Sequence, residues 1–321
     1  MSLPATLTGT LSIPVIGAPM FIVSVPELVI AQCKAGIVGS FPALNARPQE
    51  KLGEWLDTIE RELDDFKAAN PDKPVAPYAV NQIVHQSNDR LQHDIDMCVQ
   101  HKVPIVITSL RPPADVVDAV HSYGGVVFHD VINVRHARKA MEQGVDGIIT
   151  VCAGAGGHAG TTSPFALVKE VREFFDGTII LSGAMSTGAD VAAARAMGAD
   201  LAYIGTRFIA TEEANAPAEY KEMIVNSKAA DIVYTNLFSG VHGSYLRGSI
   251  ERAGMDPGNL PDADKAKMNF GSGGNTKKKA WRDIWSAGQG VGTMHDIPPV
   301  AELVARLERE YRDTVAVLAE G

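Results

Sequence analysis

Residues 153–160 read AGAGGHAG and set a single imidazole, His158, among four glycines. A histidine in so bare a loop can act as acid, base or neutral hydrogen-bond donor near pH 7. It can equally do no more than satisfy a backbone carbonyl. Gly156 and Gly157, directly before it, would let the backbone pass close to a bound cofactor. Two further stretches, SGAMSTG (182–188) and IGTRF (204–208), follow apolar runs with small residues. Small residues there allow backbone N–H groups to converge on a phosphate, which makes Gly183, Ala184, Gly205 and Thr206 the phosphate candidates; tight turns call for the same residues. The segment GAPM, Gly17, Ala18, Pro19 and Met20, would admit a flat ring near the backbone, and Asn81 offers an amide to a heteroaromatic edge. Turn chemistry explains either one as well.

Such groups need a scaffold that brings distant loops to one place. Short β-branched runs alternate with amphipathic helical patterns as far as about residue 210, the rhythm of a parallel sheet covered by helices. Eight strands are expected: IPVIGAP (13–19), GIVGSF (36–41), VAPYAVN (75–81), PIVITSL (104–110), GVVFHDV (125–131), DGIITVC (146–152), TIILSG (178–183) and DLAYIGT (200–206). Pro26 and Gly36 bracket one helical pattern, and Asn133 and Gly144 another. Eight such units predict an α/β fold, a (β/α)8 TIM barrel with an inserted lid or small second domain. A doubly wound open sheet is the alternative. The expected divisions are a barrel core over 1–210, the insertion over 211–282 and a C-terminal segment over 283–321 whose last helix completes the barrel. In a TIM barrel the site lies at the C-terminal ends of the strands, where all the candidates above fall.

A formal charge of −9 argues against nucleic acid and anionic membrane as partners, since both favour a basic face. Cys33, Cys98 and Cys152 are too far apart in sequence to suggest a disulfide framework or zinc cluster, which fits a cytoplasmic location. With no HxH or HExxH spacing, no metal site is expected. His129, at the end of the fifth strand, is placed to line the mouth. The run Lys277 to Lys279 reads as a solvated face.

In order along nearly the whole chain, GAPM (17–20), AGAGGHAG (153–160), SGAMSTG (182–188), IGTRFIAT (204–211) and WSAGQGVG (285–292) resemble the nitronate monooxygenase family, formerly the 2-nitropropane dioxygenases. The resemblance implies an FMN-dependent TIM barrel in which His158 faces flavin and substrate. It also implies that the motifs after strands seven and eight hold the FMN phosphate and that Gln289 approaches the ring. The implied reaction is oxidation of alkyl nitronates, with nitroalkanes as further candidate substrates, by dioxygen to a carbonyl compound and nitrite. Similar relatives include NAD(P)H-dependent FMN reductases of quinones or enoyl thioesters, which form the alternative; a flavin-binding protein without turnover is a third. The chain departs from several relatives at Asp130, where they carry a lysine that steadies reduced flavin. An anion there would repel an anionic hydroquinone unless it is turned away or paired, with His129 as a possible compensating group.

Overall fold

A computed structural model describes residues 3–111, 113–263 and 284–320. The tract MNFGSGGNTKKKAW, with Lys277 to Lys279, lies outside them, as does part of the expected insertion. In chain order the barrel units are β1 (Val15–Gly17), α1 (Pro26–Lys34), β2 (Gly39–Pro42), α2 (Lys51–Ala69), β3 (Tyr78–Val84), α3 (Leu91–Gln100), β4 (Ile105–Leu110), α4 (Ala114–His121), β5 (Val126–Val131), α5 (Val134–Glu142) and β6 (Gly147–Val151). After β6 a two-residue strand intervenes, β7 (Gly157–His158). The barrel resumes with α6 (Pro164–Arg172), β8 (Thr178–Ser182), α7 (Gly188–Ala196), β9 (Leu201–Ile204) and the short α8 (Thr206–Ile209).

The eight long strands are parallel in the order β1-β9-β8-β6-β5-β4-β3-β2. A parallel bridge between Ile16 and Val38 joins the two ends of that order, so the sheet is a nearly closed TIM barrel and not a doubly wound open sheet. Side chains alternate across each strand and build two cores. Ile16, Val38, Ala79, Ile107, Phe128, Ile149, Ile180 and Leu201 fill the barrel interior, with Leu7 joining them from the N-terminal segment. Val15, Val80, Val106, Val127, Ile148 and Ile179 face outward against Leu28, Leu56, Val117, Leu167 and Val191 of the helices.

Local chemistry sets the helix ends. Pro26 opens α1, where its missing N–H has no partner to lose, and Gly36 follows the helix at φ +84. Asn133 caps α5 by accepting from the His136 N–H at 2.9 Å, and Gly144 follows at φ +78. Thr187 and Asp190 form a reciprocal capping box on α7.

Beyond Ile209 come α9 (Ala218–Asn226), β10 (Ile232–Thr235), β11 (Gly243–Leu246), α10 (Arg247–Arg252) and, after the undescribed stretch, α11 (Val300–Glu320). α11 packs against α7 and α1 in the outer helical layer. β10 and β11 form an antiparallel hairpin that takes β7 as its third strand. The AGAGGHAG loop is thus both the exit of a barrel strand and the edge of a second sheet. No described helix is long and apolar enough to cross a membrane.

Candidate active site

At the C-terminal mouth of the barrel four glycine-bearing segments meet. The Gly154 carbonyl accepts N–H groups from Ala184 at 3.3 Å and from Gln289 at 2.8 Å. Gly288 donates its N–H to the Thr206 hydroxyl at 2.9 Å. A Cβ on Gly156 would lie 2.9 Å from the Gly288 nitrogen and 3.0 Å from the Thr206 hydroxyl, so glycine alone permits this approach. Gly183 has φ +151, and Ala184 sits in the left-handed region at φ +53, a strained conformation for a residue with a side chain. GAPM joins the same rim. Ala18 donates to the Ile204 carbonyl at 2.9 Å, and a Cβ at Gly205 would stand 3.5 Å from Ala18 and 3.6 Å from the Met20 sulfur. The backbone N–H groups of Gly183, Gly205 and Thr206 donate to no acceptor among the described residues.

Behind this rim the next residue, Arg207, is buried and locks the C-terminal segment down. Its guanidinium donates to Asp296 Oδ1 at 2.6 Å and to the Ala210 carbonyl at 3.0 Å, while Arg306 holds the other Asp296 oxygen at 2.6 Å. A cavity of about 130 Å³ lies there, lined in part by Ser186, Thr187, Thr293 and His295.

His158 lies on β7, paired with Gly243 of β11. The preceding N–H, of Gly157, donates to the Ser286 hydroxyl at 2.7 Å. His158 Nε2 is 2.9 Å from the hydroxyl of Ser239, which itself donates to the Val241 carbonyl at 2.8 Å. With that hydroxyl proton committed, Ser239 is left to accept, which puts the imidazole proton on Nε2 and the lone pair on Nδ1. Burial lowers the imidazole pKa to about 4, so the ring is neutral at pH 7.

Across the mouth a second polar group lies on the inward faces of β3, β4 and β5. Asn81 Nδ2 donates to the Ile107 carbonyl at 3.3 Å and to the Ser109 hydroxyl at 2.9 Å, and Ser109 donates to Asp130 Oδ2 at 2.6 Å. Asp130 Oδ1 is buried and has no hydrogen-bond partner among the described residues. Burial raises the carboxyl pKa to about 6, against a lowering contribution from Ser109. Asn81 does not end its strand as expected. β3 runs on to Val84, because the apolar Ile83 and Val84 continue the pairing with β4.

His129 does not line the mouth. It shares the outward face of β5 with Val127 and Val131, is 3% exposed and bonds Thr108 Oγ1 at 2.8 Å through Nδ1. Burial lowers its pKa to about 4, so it cannot supply a charge to compensate Asp130. Away from the mouth, the trio Asp57, Glu60 and His101 has ligand atoms within 4.8 Å of one another, and Glu60 already accepts from the Tyr78 hydroxyl at 2.7 Å.

Sequence reading missed Ser109, Tyr203, Arg207 and Ser239. Strand parity could have found the first two, since both share the inward face with residues of the interior core. Nothing local marks Ser239, which meets His158 across 81 positions.

The comparisons agree with this geometry. The chain is 27% identical to a nitronate monooxygenase of Paraburkholderia phytofirmans, an alignment covering 96% of this chain and 94% of the relative. It is 25% identical to a hydroxy-methyl-oxo-octahydroindene-carboxyl-CoA dehydrogenase of Rhodococcus jostii, over 80% of this chain and 69% of that one. Among solved structures, FabK from Thermotoga maritima superposes with a TM-score of 0.78 at 24% identity, covering 99% of both chains, which shows the shared fold. Enzymes of this group are typically flavin-dependent and act on small molecules. The nitronate monooxygenase family model matches residues 5–310, and the chain, an oxidoreductase, belongs to that family.

Proposed function

We propose that the protein binds FMN at the barrel mouth and uses it to oxidise alkyl nitronates with dioxygen to a carbonyl compound and nitrite. The observation that carries this reading is the meeting at one rim of the AGAGGHAG loop with the segments of Gly183, Gly205 and Thr206, whose N–H groups make no hydrogen bond among the described residues. Converging N–H donors suit a phosphate, and Gly156, Gly157 and GAPM leave backbone where a flat ring could lie, so the residues fit a phosphorylated flavin. FMN would supply the redox chemistry; the chain's part is to bind, orient and exclude water. Gly17, Ala18, Pro19, Met20, Asn81, Ala184 and Gln289 complete the proposed cofactor-binding set. Within the expected insertion over 211–282, the described hairpin of β10 and β11 would serve as the wall that positions β7.

The state of His158 favours a nitronate over a neutral nitroalkane. A partly buried, neutral imidazole with a lowered pKa is a weak proton acceptor at pH 7, poorly suited to removing a carbon-bound proton. A substrate that arrives as an anion needs no such step. Its negative charge would raise the proton affinity that burial takes away, and a proton gained at Nδ1 would let the ring donate to the nitro oxygens. The Rhodococcus relative, named as a dehydrogenase of a CoA ester, keeps a pyridine-nucleotide-dependent reductase as the second reading.

Anaerobic mixing of the FMN-loaded protein with a preformed nitronate, NADH or NADPH separates the two. Rapid bleaching of the flavin by nitronate is expected, and bleaching by a pyridine nucleotide alone would replace the proposal with the reductase reading. His158→Asn should keep FMN and lose roughly 10²-fold or more in kcat/KM with nitronate. Full activity in that variant would remove His158 from the reaction.

A further inference from the structure

We propose that Asp130 holds the bound cofactor as a neutral carboxylic acid, donating a hydrogen bond from Oδ1 to an acceptor atom of the flavin ring. The inference rests on the FMN reading above and assigns a role to a buried carboxyl oxygen that the rest of the fold leaves unused.

The hydrogen-bond direction decides where the proton sits. Asn81 donates to Ser109, so the Ser109 hydroxyl proton is sent to Asp130 Oδ2, at 2.6 Å. An oxygen that already accepts a donor is the poorer site for the acid's own proton. Protonation therefore falls on Oδ1, the buried oxygen with no partner. Left ionised, that oxygen is a bare anion in an apolar layer; protonated, it is an unused donor beside the proposed ring site. Burial favours the neutral form.

Among the described residues no neighbouring cation opposes this. β3 and β4 face Asp130 with Asn81 and Ser109, and β6 with Ile149 and Val151. Tyr203 of β9 is also close, and burial keeps that phenol protonated. His129, next in sequence, faces the helices. A lysine would meet electron-rich ring atoms with a fixed charge. A neutral acid meets them with a donor whose availability depends on pH, and the repulsion expected of an anion does not arise.

The test is FMN affinity, read by quenching of flavin fluorescence between pH 4.5 and 8, for the wild type and Asp130→Asn. Asparagine keeps a donor and cannot ionise, and the ratio of the two dissociation constants cancels the titration of the FMN phosphate itself. The ratio, wild type over variant, should be flat at low pH and rise about tenfold per pH unit above the Asp130 titration. A ratio flat across the whole range overturns the proposal. Ser109→Ala strips Oδ2 of its donor and should move the wild-type break to higher pH, which keeps the test alive if Asp130→Asn fails to fold. A break that stays put assigns the titration to another group and overturns the proposal equally. Wild-type protein that binds no FMN at any pH removes the cofactor reading and this inference with it, an outcome distinguished by the absence of any quenching.

Discussion

The two sides of the barrel mouth hold polarity by different means. On the β8–β9 side the donors are backbone N–H groups of Gly183, Gly205 and Thr206, with unusual backbone angles at Gly183 (φ +151) and its neighbour Ala184 (φ +53). On the β3–β5 side they are side chains, Asn81, Ser109 and Asp130, each on a different strand and linked into one directed chain. Backbone donors need conformations open mainly to small residues, and so leave a local mark in sequence. A side-chain relay needs only ordinary residues in the right register across three strands, and leaves none. The first side is anchored from behind by the buried Arg207 and the C-terminal segment; the second is closed by the barrel itself.

The largest expected effect tests that anchor. Asp296→Ala removes the carboxylate from the buried Arg207 and should cost about 3–5 kcal/mol in urea unfolding, the scale for a stranded buried charge. Arg207→Met should cost less, about 2 kcal/mol, because Asp296 is 41% exposed and keeps Arg306. Equal losses would break the picture of Arg207 as the buried member.

On the second side, His129 and Asp130 stand next to each other on opposite faces of β5 and have opposite linkage to pH. The folded pKa of His129 is lowered to about 4 from 6.5, so its stabilisation is complete above pH 6.5 and lost as pH falls toward 4; it amounts to roughly 3 kcal/mol. Asp130 is raised from 3.8 to about 6, so stability of the cofactor-free protein declines as pH climbs between those values. His129→Gln should shrink the acid limb of a stability-versus-pH curve, leaving a remainder to His158, which is shifted the same way. An unchanged limb would refute the buried neutral His129.

Gly205 separates ligand contact from protein strain better than Gly183. A Cβ at Gly205 meets Ala18 and Met20 at ordinary distances, whereas one at Gly183 meets the Ala153 carbonyl at 2.9 Å from φ +151. Gly205→Val should weaken FMN binding about tenfold or more with little change in unfolding midpoint, and Gly183→Val should lower both. Unaltered FMN affinity in Gly205→Val would take the rim out of the site. The smallest effect is at Thr206: Thr206→Val deletes the acceptor of the Gly288 N–H and should cost about 1 kcal/mol.

The sequence by itself determined the eight strands, the helix caps at Pro26, Asn133 and Gly144, and the motifs that gather at the mouth. These rest on periodicity, turn chemistry and local backbone freedom, all short-range properties of the chain. It could not say which way His129 and Asp130 point, because one residue of register exchanges the two faces of a strand and the apolar run around them permits either. Nor could it show that His158 would be clasped by Ser239 and by a strand 85 residues away, or that Arg207 would reach Asp296 across 89. Those partners are chosen by where the barrel and the second sheet bring their loops together. The protonation states that matter at the mouth follow from the resulting burial, a property of the packed molecule and of no single stretch of it.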